Sequence, residues 1–319
     1  MIGYGSIAEK HVAALAHEDV TLHSVAGRVP ERCGEFARRY GFARCVPDLD
    51  EALSDPAADV VVVTSPSDLH AEHAKKALRA GKHVLCEIPL ATNLADVDEI
   101  IALGAAADRT LMVCHTQRFL PAFAQARAAV ADGRLHVHHI IYRYGFLRRD
   151  TVNWMGRRRS WIDNLLWHHG CHVVDTSLWL LGASDVSVDA HLALPGRDLG
   201  IPMDLSMTLR TPADQLVTIA MSYNTHLHLE ECLLIGEENT YLVADRSLRD
   251  KDGVLHQPVA DEMWQVAIVD QDREFLAALR EHREPSVSAR AARPALAALQ
   301  KAQDQYDAWR PKGKVHPIP

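Results

Sequence analysis

The run Trp167-His168-His169-Gly170-Cys171-His172-Val173-Val174-Asp175 concentrates side chains that move protons. At helical spacing His168, His172 and Asp175 fall along one stripe, with His169 beside it. Neutral imidazole takes up and returns protons near pH 7, and a carboxylate one turn away can fix its tautomer and support its charged form. Histidines on a mostly apolar helix also serve purely structural ends, so this spacing becomes chemistry only if the rest of the chain supplies a site for it.

A second cluster lies just upstream. Arg143, Arg148, Arg149, Arg157, Arg158 and Arg159 stand within one short stretch opposed only by Asp150, in a chain with a net charge of -8. Guanidinium forks match carboxylates and phosphates, so the block can receive an anionic substrate before running into Trp161 and the histidines. The alternative for any single member is an exposed arginine making surface ion pairs. A third chemistry, a metal-dependent hydrolase, is raised by the i, i+4 spacing of His168 and His172 and by 19 histidines in all. The H-E-x-x-H pattern is absent, and His136/His138 and His226/His228 read as strand or loop positions, so no metal is expected.

The elements that must position these residues begin at the N-terminus. Gly3-Tyr4-Gly5-Ser6-Ile7-Ala8 fits G-x-G-x-x-A, in which Gly3 makes the turn, Gly5 lets backbone approach a pyrophosphate and Ala8 permits close helix packing. A helix-like stretch (8–17) and a short apolar strand (20–26) follow, the βαβ context the fingerprint requires. Gly3, Gly5, Ser6, Ile7 and Ala8 are therefore candidate cofactor residues. The second strand ends at Arg28, where NAD enzymes carry an acid for the ribose; a guanidinium suits the 2'-phosphate of NADP, which favours NADP with NAD possible. Arg28 over the adenine face or in solvent is the other reading. The β-branched run 59–64 reads as a strand covered on both faces, leading to Ser65, Pro66 and His70; a helix (69–80), a strand (83–87) and Pro89 follow. Only two residues precede Gly3, against about five or six in an ordinary strand, so either the first strand is a stub or the chain as given lacks its true start, the latter being favoured.

From about Gln117 the pattern changes. A helix (123–131) precedes alternating segments at 136–144, 187–194, 205–211, 215–224, 231–235 and 240–244, which suggest an open antiparallel sheet, with closing helices at 271–281 and 291–306. The fold expected is α/β plus α+β: residues 1–116 an NADP-binding Rossmann domain, and 117–319 an antiparallel-sheet domain for substrate and oligomerisation, as a dimer or tetramer. At 48% hydrophobic and 24% charged the chain is ordinary globular protein, without a long apolar run for a membrane or the basic balance of a nucleic-acid binder. Cys33, Cys45, Cys86, Cys114, Cys171 and Cys232 form no CxxC pair and no leader precedes the first motif, which points to the cytoplasm.

The set G-x-G-x-x-A, Pro66-x-x-x-His70, Gly81-Lys82-His83-Val84, Glu87-Ile88-Pro89, Arg118-Phe119 and His172-x-x-Asp175 resembles the glucose-fructose oxidoreductase and inositol dehydrogenase (Gfo/Idh/MocA) family along essentially the whole chain. The resemblance implies a Rossmann domain joined to an antiparallel-sheet domain, hydride transfer to nicotinamide, and an active site shared in the cleft between them. It adds Ser65, Pro66, His70, Glu87, Pro89 and Arg118 to the cofactor set. It makes His172 the base, with His168 relaying the proton or holding His172 and Asp175 orienting the ring. Two departures stand out: Ile88 replaces the usual lysine, and His168 stands where the family has aspartate, so a sugar-oxidising site is in doubt. Within the family, the runs 87–91, 115–119, 160–169, 198–201 and 271–275 resemble members that oxidise, with NADP, the semialdehyde made by ring cleavage of protocatechuate. That implies a small dicarboxylate substrate oxidised as its cyclic hemiacetal, with Arg149 and Arg118 on its carboxylates, and Trp161 and His169 beside its ring. A different cyclic hemiacetal, sugar or hydroxy acid is the nearest alternative, and an NADP-binding sensor without turnover a further one.

Overall fold

The computed structural model describes residues 1–310 apart from Trp154, Ser160 and 259–262. The chain divides into two compact units, Met1–Thr116 with Glu262–Arg293, and Gln117–Asp261 with Pro294–Pro319.

The first unit alternates helices and parallel strands: α1 (Ser6–Leu15), β1 (Ser24–Ala26), α2 (Pro30–Tyr40), β2 (Arg44–Val46), α3 (Leu49–Ser54), β3 (Val60–Val63), α4 (His70–Arg79), β4 (His83–Cys86), α5 (Leu94–Ala107) and β5 (Leu111–Val113). β1 pairs with β2, and β3, β4 and β5 pair in that order, all parallel. Between β1 and β3, Ile2 bridges Ala26 on one side and Val63 on the other, both parallel. Its backbone is bonded on both sides all the same: Ile2 N to Val62 O and Thr64 N to Ile2 O, each at 2.8 Å, with Gly3 N to Ala26 O at 2.9 Å. The resulting order, β2-β1-Ile2-β3-β4-β5, is that of a doubly wound sheet. Val61, Val62 and Val63 are buried, as a strand covered on both faces requires. The strand expected over 20–26 is confined to its last three residues, because 20–23 lie at the surface or half-buried.

The second unit is built from α6 (Pro121–Ala131), β6 (Val137–Gly145), α7 (His169–Leu181), β7 (Ser187–Leu192), β8 (Asp204–Arg210), β9 (Leu216–Ser222), β10 (Leu229–Gly236), β11 (Thr240–Ala244), β12 (Ser247–Asp250) and β13 (Gly253–His256). The strands form one eight-stranded sheet in the order β13-β12-β11-β10-β6-β9-β8-β7. Alternation is clear in β8, where Leu205, Met207 and Leu209 are buried and Ser206, Thr208 and Arg210 are exposed. The sheet is antiparallel as expected except that β6 and β9 run parallel, and β12 and β13, too short and polar to show a period, extend it at one edge.

Two helices close the chain, α8 (Met263–Arg280) and α9 (Ala289–Trp309). Residues 117–319 do not all belong to the second unit. α8 packs on α1, with Gln265 Nε2 donating to Lys10 O at 3.0 Å, and 262–293 therefore complete the first unit. Among the described residues no helix is long and apolar enough to cross a membrane, and all six cysteines are free.

Candidate active site

In the first unit the glycine-rich turn behaves as its residue types require. Gly3 has φ +104°, and a Cβ there would lie 2.6 Å from Thr64 O, so only glycine passes this point. Gly5 caps α1 without a side-chain hydrogen bond, and a Cβ built on it would meet nothing within 4 Å. The positive end of α1 thus faces open space at a residue with no side chain, a cradle that fits a pyrophosphate. Ala8 is fully buried against Val12, Val25 and Phe36, which lets the helix sit close to the sheet, while Ser6 is buried and Ile7 half-buried. Arg28 is exposed just beyond β1, and the Tyr4 ring packs against Gly27 beside it.

The ends of β3 and β4 hold the other expected cofactor residues. His70 is buried, with Nε2 2.8 Å from Ser65 O and Nδ1 2.8 Å from Pro89 O. Its place is therefore between the Ser65-Pro66 and Ile88-Pro89 loops, which it ties together, rather than open to a ligand. The Ser65 hydroxyl bonds His73 Nδ1 at 2.8 Å. Ile88, at the position where a lysine was expected by resemblance, is buried. Glu87 accepts from Ile88 N at 3.1 Å and meets His11 Nε2 at 2.9 Å, and the other His11 nitrogen meets Asp272 at 2.8 Å. Burial by itself would lower the His11 pKa, but Asp272 and Glu87 outweigh it and raise the pKa to about 10. Burial likewise pushes Glu87 up, and the hydrogen bond and charge of His11 bring it below the usual carboxylate range. His11, Glu87 and Cys114 are the group of potential metal ligands that comes together among the described residues. Both ring nitrogens of His11 already face carboxylates, and neither His168 nor His172 belongs to that group.

In the second unit the histidine run is only partly helical. His168 is the N-cap of α7 with φ -90° and ψ -81°, so it precedes the helix, while His169 and His172 lie one turn apart inside it. The entry is fixed by Asn164, whose side chain accepts from Leu166 N at 2.8 Å and whose carbonyl accepts from His168 N at 2.9 Å. His168, His169 and His172 are half-buried, whereas Val173 through Leu178 are buried in succession. Asp175 is bound bidentately by Arg118, Nε to Oδ2 at 2.8 Å and Nη2 to Oδ1 at 2.6 Å. Arg118, expected on the cofactor, is thus the partner of the aspartate expected to orient His172.

His169 stands in an aromatic enclosure. Its ring stacks on Tyr144 with centroids 4.8 Å apart, meets Phe146 edge-on at 5.4 Å and bonds the Tyr223 hydroxyl through Nδ1 at 2.5 Å. Burial, reinforced by the charges of His168, His172, Arg148 and Arg159, holds its pKa well below the ordinary value, so the ring is neutral. Arg148 Nη1 points a hydrogen at the Tyr223 oxygen over 3.4 Å. The tyrosine hydrogen is then directed to His169 Nδ1, which leaves the proton of the neutral imidazole on Nε2. Beneath α7, Gln117 accepts from Thr176 at 2.7 Å and donates to Glu230 at 3.0 Å; burial raises the Glu230 pKa.

The arginine block separates into distinct tasks. Arg143 pairs with Glu231, Arg158 lies 3.8 Å from Asp150, and Arg159 binds Asp163 at 2.6 Å while lying over the Trp161 ring. Arg149 is exposed and donates to the carbonyls of Arg148 and Tyr223, and Trp161 is half-buried. Ser160 of the 160–169 run lies outside the described residues. Reasoning from sequence missed His11 and Tyr223, which no local motif marks. Asp272 and Gln117 lay inside quoted runs, and Arg148 inside the block, but nothing in the spacing singled them out.

Comparison with known proteins agrees with this division. Residues 1–115 match the "Oxidoreductase family, NAD-binding Rossmann fold", and residues 121–256 match "Bacterial oxidoreductases, C-terminal". The chain is 34% identical over 291 residues to the 4-carboxy-2-hydroxymuconate-6-semialdehyde dehydrogenase of a Sphingobium species, covering 90% of this chain and 92% of that one. Among solved structures it is similar to a putative myo-inositol dehydrogenase from Sinorhizobium meliloti, with a TM-score of 0.80, 25% identity and 97% of each chain covered. A levoglucosan dehydrogenase in complex with NADH and levoglucosan shares the fold at a TM-score of 0.82 and 20% identity, over 96% of each chain.

Proposed function

Because the chain belongs to the Gfo/Idh/MocA oxidoreductases, dehydrogenases of CH-OH groups that use nicotinamide dinucleotides, we propose that it oxidises the cyclic hemiacetal of 4-carboxy-2-hydroxymuconate-6-semialdehyde to 2-pyrone-4,6-dicarboxylate with NADP. The observation that carries the substrate is the likeness to the Sphingobium enzyme, which spans nearly the whole of both chains. The site supports it: histidines for one proton lie beside an arginine-rich segment suited to a dianion.

In this reading the dinucleotide is held by Gly3, Gly5, Ser6, Ile7 and Ala8 at the start of α1, by the Ser65-Pro66 and Glu87-Pro89 loops, and by Arg28 at a 2'-phosphate. The bound nicotinamide supplies the hydride acceptor. His172 takes the proton as the hydroxyl O–H bond breaks, the C–H bond gives up its hydride, and a carbon–oxygen double bond forms, turning the hemiacetal into a lactone. His168 passes that proton toward solvent, and Asp175 acts through Arg118 by fixing the face of α7 below His172. Trp161, Arg149 and the neutral His169 complete the surroundings of the flat ring.

We also propose a homo-oligomer, dimer or tetramer, in the cytoplasm. The helix-free face of the eight-stranded sheet carries Ile141, Leu233 and Leu242 side by side, in register across β6, β10 and β11, and all three are half-buried. A competing reading, oxidation of a polyol ring, draws on the likeness to a putative myo-inositol dehydrogenase. Buried Ile88 argues against it, since it places no cation beside a sugar hydroxyl.

The test is nicotinamide reduction by purified protein on freshly made protocatechuate ring-cleavage product, first with NADP and then with NAD, scoring pyrone dicarboxylate by mass. Rapid NADP-dependent pyrone formation supports the proposal. Reduction with inositols or sugars and none with the semialdehyde transfers the site to polyols, and tight NADP binding without any turnover transfers it to a sensor.

A further inference from the structure

Arg148 is buried, 6% exposed. Its backbone N–H bonds Tyr223 O at 2.9 Å, its guanidinium carbon lies 5.2 Å from the centre of the Tyr223 ring, and Nη1 reaches the Tyr223 hydroxyl at 3.4 Å. No carboxylate among the described residues pairs with it. Arg143, Arg158 and Arg159 of the same segment each have one, and the Asp163 that lies near Tyr223 is bound at 2.6 Å by Arg159.

A buried guanidinium ordinarily has an anion against it, because desolvating an unpaired charge is expensive. Here the protein provides an aromatic ring beneath the cation and a hydroxyl at one corner, which hold the plane of the fork without neutralising it. The surroundings are aromatic and flat: Tyr144, Phe146, Tyr223 and the neutral His169, the last one helical turn before His172. Arg149, by contrast, is exposed and bonded to carbonyls, and Arg118 is matched by Asp175.

We infer that Arg148 is the residue that receives a carboxylate of the substrate, held edge-on by its guanidinium over Tyr223, and that it selects anionic cyclic hemiacetals over neutral sugars. This rests on the proposed function and deepens it by assigning the anion to one side chain. The Tyr223 hydroxyl links the same cation to His169, so the bound carboxylate and the histidine run share one hydrogen-bonded chain.

The experiment pairs a variant with a change in the ligand. Binding of 2-pyrone-4,6-dicarboxylate and of its two monocarboxylate analogues is titrated against the full chain with NADP bound, for wild type, Arg148→Met and Arg148→Lys. Wild type is expected to favour the dicarboxylate over one monocarboxylate by about 30-fold or more, as a charge-assisted two-point contact allows. Arg148→Met should lose that preference, and Arg148→Lys should retain a small part of it. Because Arg148 lies in the second unit, circular dichroism and the urea unfolding midpoint of each variant report that it is folded. Wild-type turnover of the semialdehyde with an unchanged KM and an unchanged carboxylate preference in Arg148→Met overturns this assignment and leaves the function standing. A wild type that neither turns over the semialdehyde nor binds the pyrone overturns the function, and this assignment with it.

Discussion

Arg118 holds Asp175 by two near-parallel hydrogen bonds, 2.8 and 2.6 Å, with side-chain exposures of 8% and 1%. So deep a pair is informative through what happens when it is broken. Asp175→Ala leaves a buried cation without its partner and should destabilise the protein by about 3–5 kcal/mol, read from urea unfolding. The double replacement Arg118→Met with Asp175→Leu should cost much less, since it removes both charges at once. If Asp175→Ala is as stable as wild type and loses only turnover, Asp175 acts directly on the reacting groups and not through Arg118.

His172→Asn retains a polar side chain of similar reach and removes the proposed base. Turnover should fall about 100-fold or more, while NADP affinity stays within roughly threefold. The proposed cofactor residues and the histidine run belong to different compact units, so the two readouts have no reason to move together. A joint loss would show that His172 holds the fold, and stopped-flow reduction alongside NADP titration separates these outcomes.

Arg28 stands exposed one residue after Gly27, at the place where an acid would select NAD. Arg28→Asp should shift the ratio of kcat/KM for NADP over NAD by about 10–100-fold toward NAD, the size of one or two charge-assisted hydrogen bonds. Thermal stability should be unchanged, because no partner of the fold is removed. An unaltered ratio would place the 2'-phosphate elsewhere.

How far the chain could be read in advance follows from the range of each signal. The βαβ turn was legible because Gly3, Gly5 and Ala8 answer to local geometry that sequence spacing encodes directly. Strands β8, β9 and β11 were legible from their period of two. The parallel pairing of β6 with β9 was not, since alternation says which side of a strand is apolar and nothing about its neighbour. Spacing alone puts His168 inside the helix, whereas Asn164 captures its amide in a preceding turn and leaves it as the N-cap. The partnerships that decide the electrostatics join residues far apart: His11 with Asp272, Arg118 with Asp175, and His169 with Tyr223. Tertiary pairings of this kind leave no periodic trace.

The buried His11 carries the last prediction, a pH dependence opposite in sign to that of His169. Held between Asp272 and Glu87, the His11 pKa stands at about 10 in the folded protein, against about 6.5 for an unfolded histidine. The folded state therefore binds the proton more tightly, and the resulting stability is complete below about pH 6.5 and disappears as pH rises through about 10. Glu87, held low, contributes stability above its ordinary range and loses it only as acid protonates it through its lowered pKa. His169 is depressed, so the second unit loses stability when pH falls below about 6.5 and the unfolded chain takes up a proton that the folded site refuses. Hydrogen exchange, corrected for the intrinsic pH dependence of amide rates, should accordingly show α1 and α8 losing protection between about pH 7 and 10. Over the same interval α7 should hold, and below about pH 6 the order should reverse. His11→Asn should flatten the alkaline slope in α1 and α8 without touching α7; a slope that survives the substitution would move its source to another group.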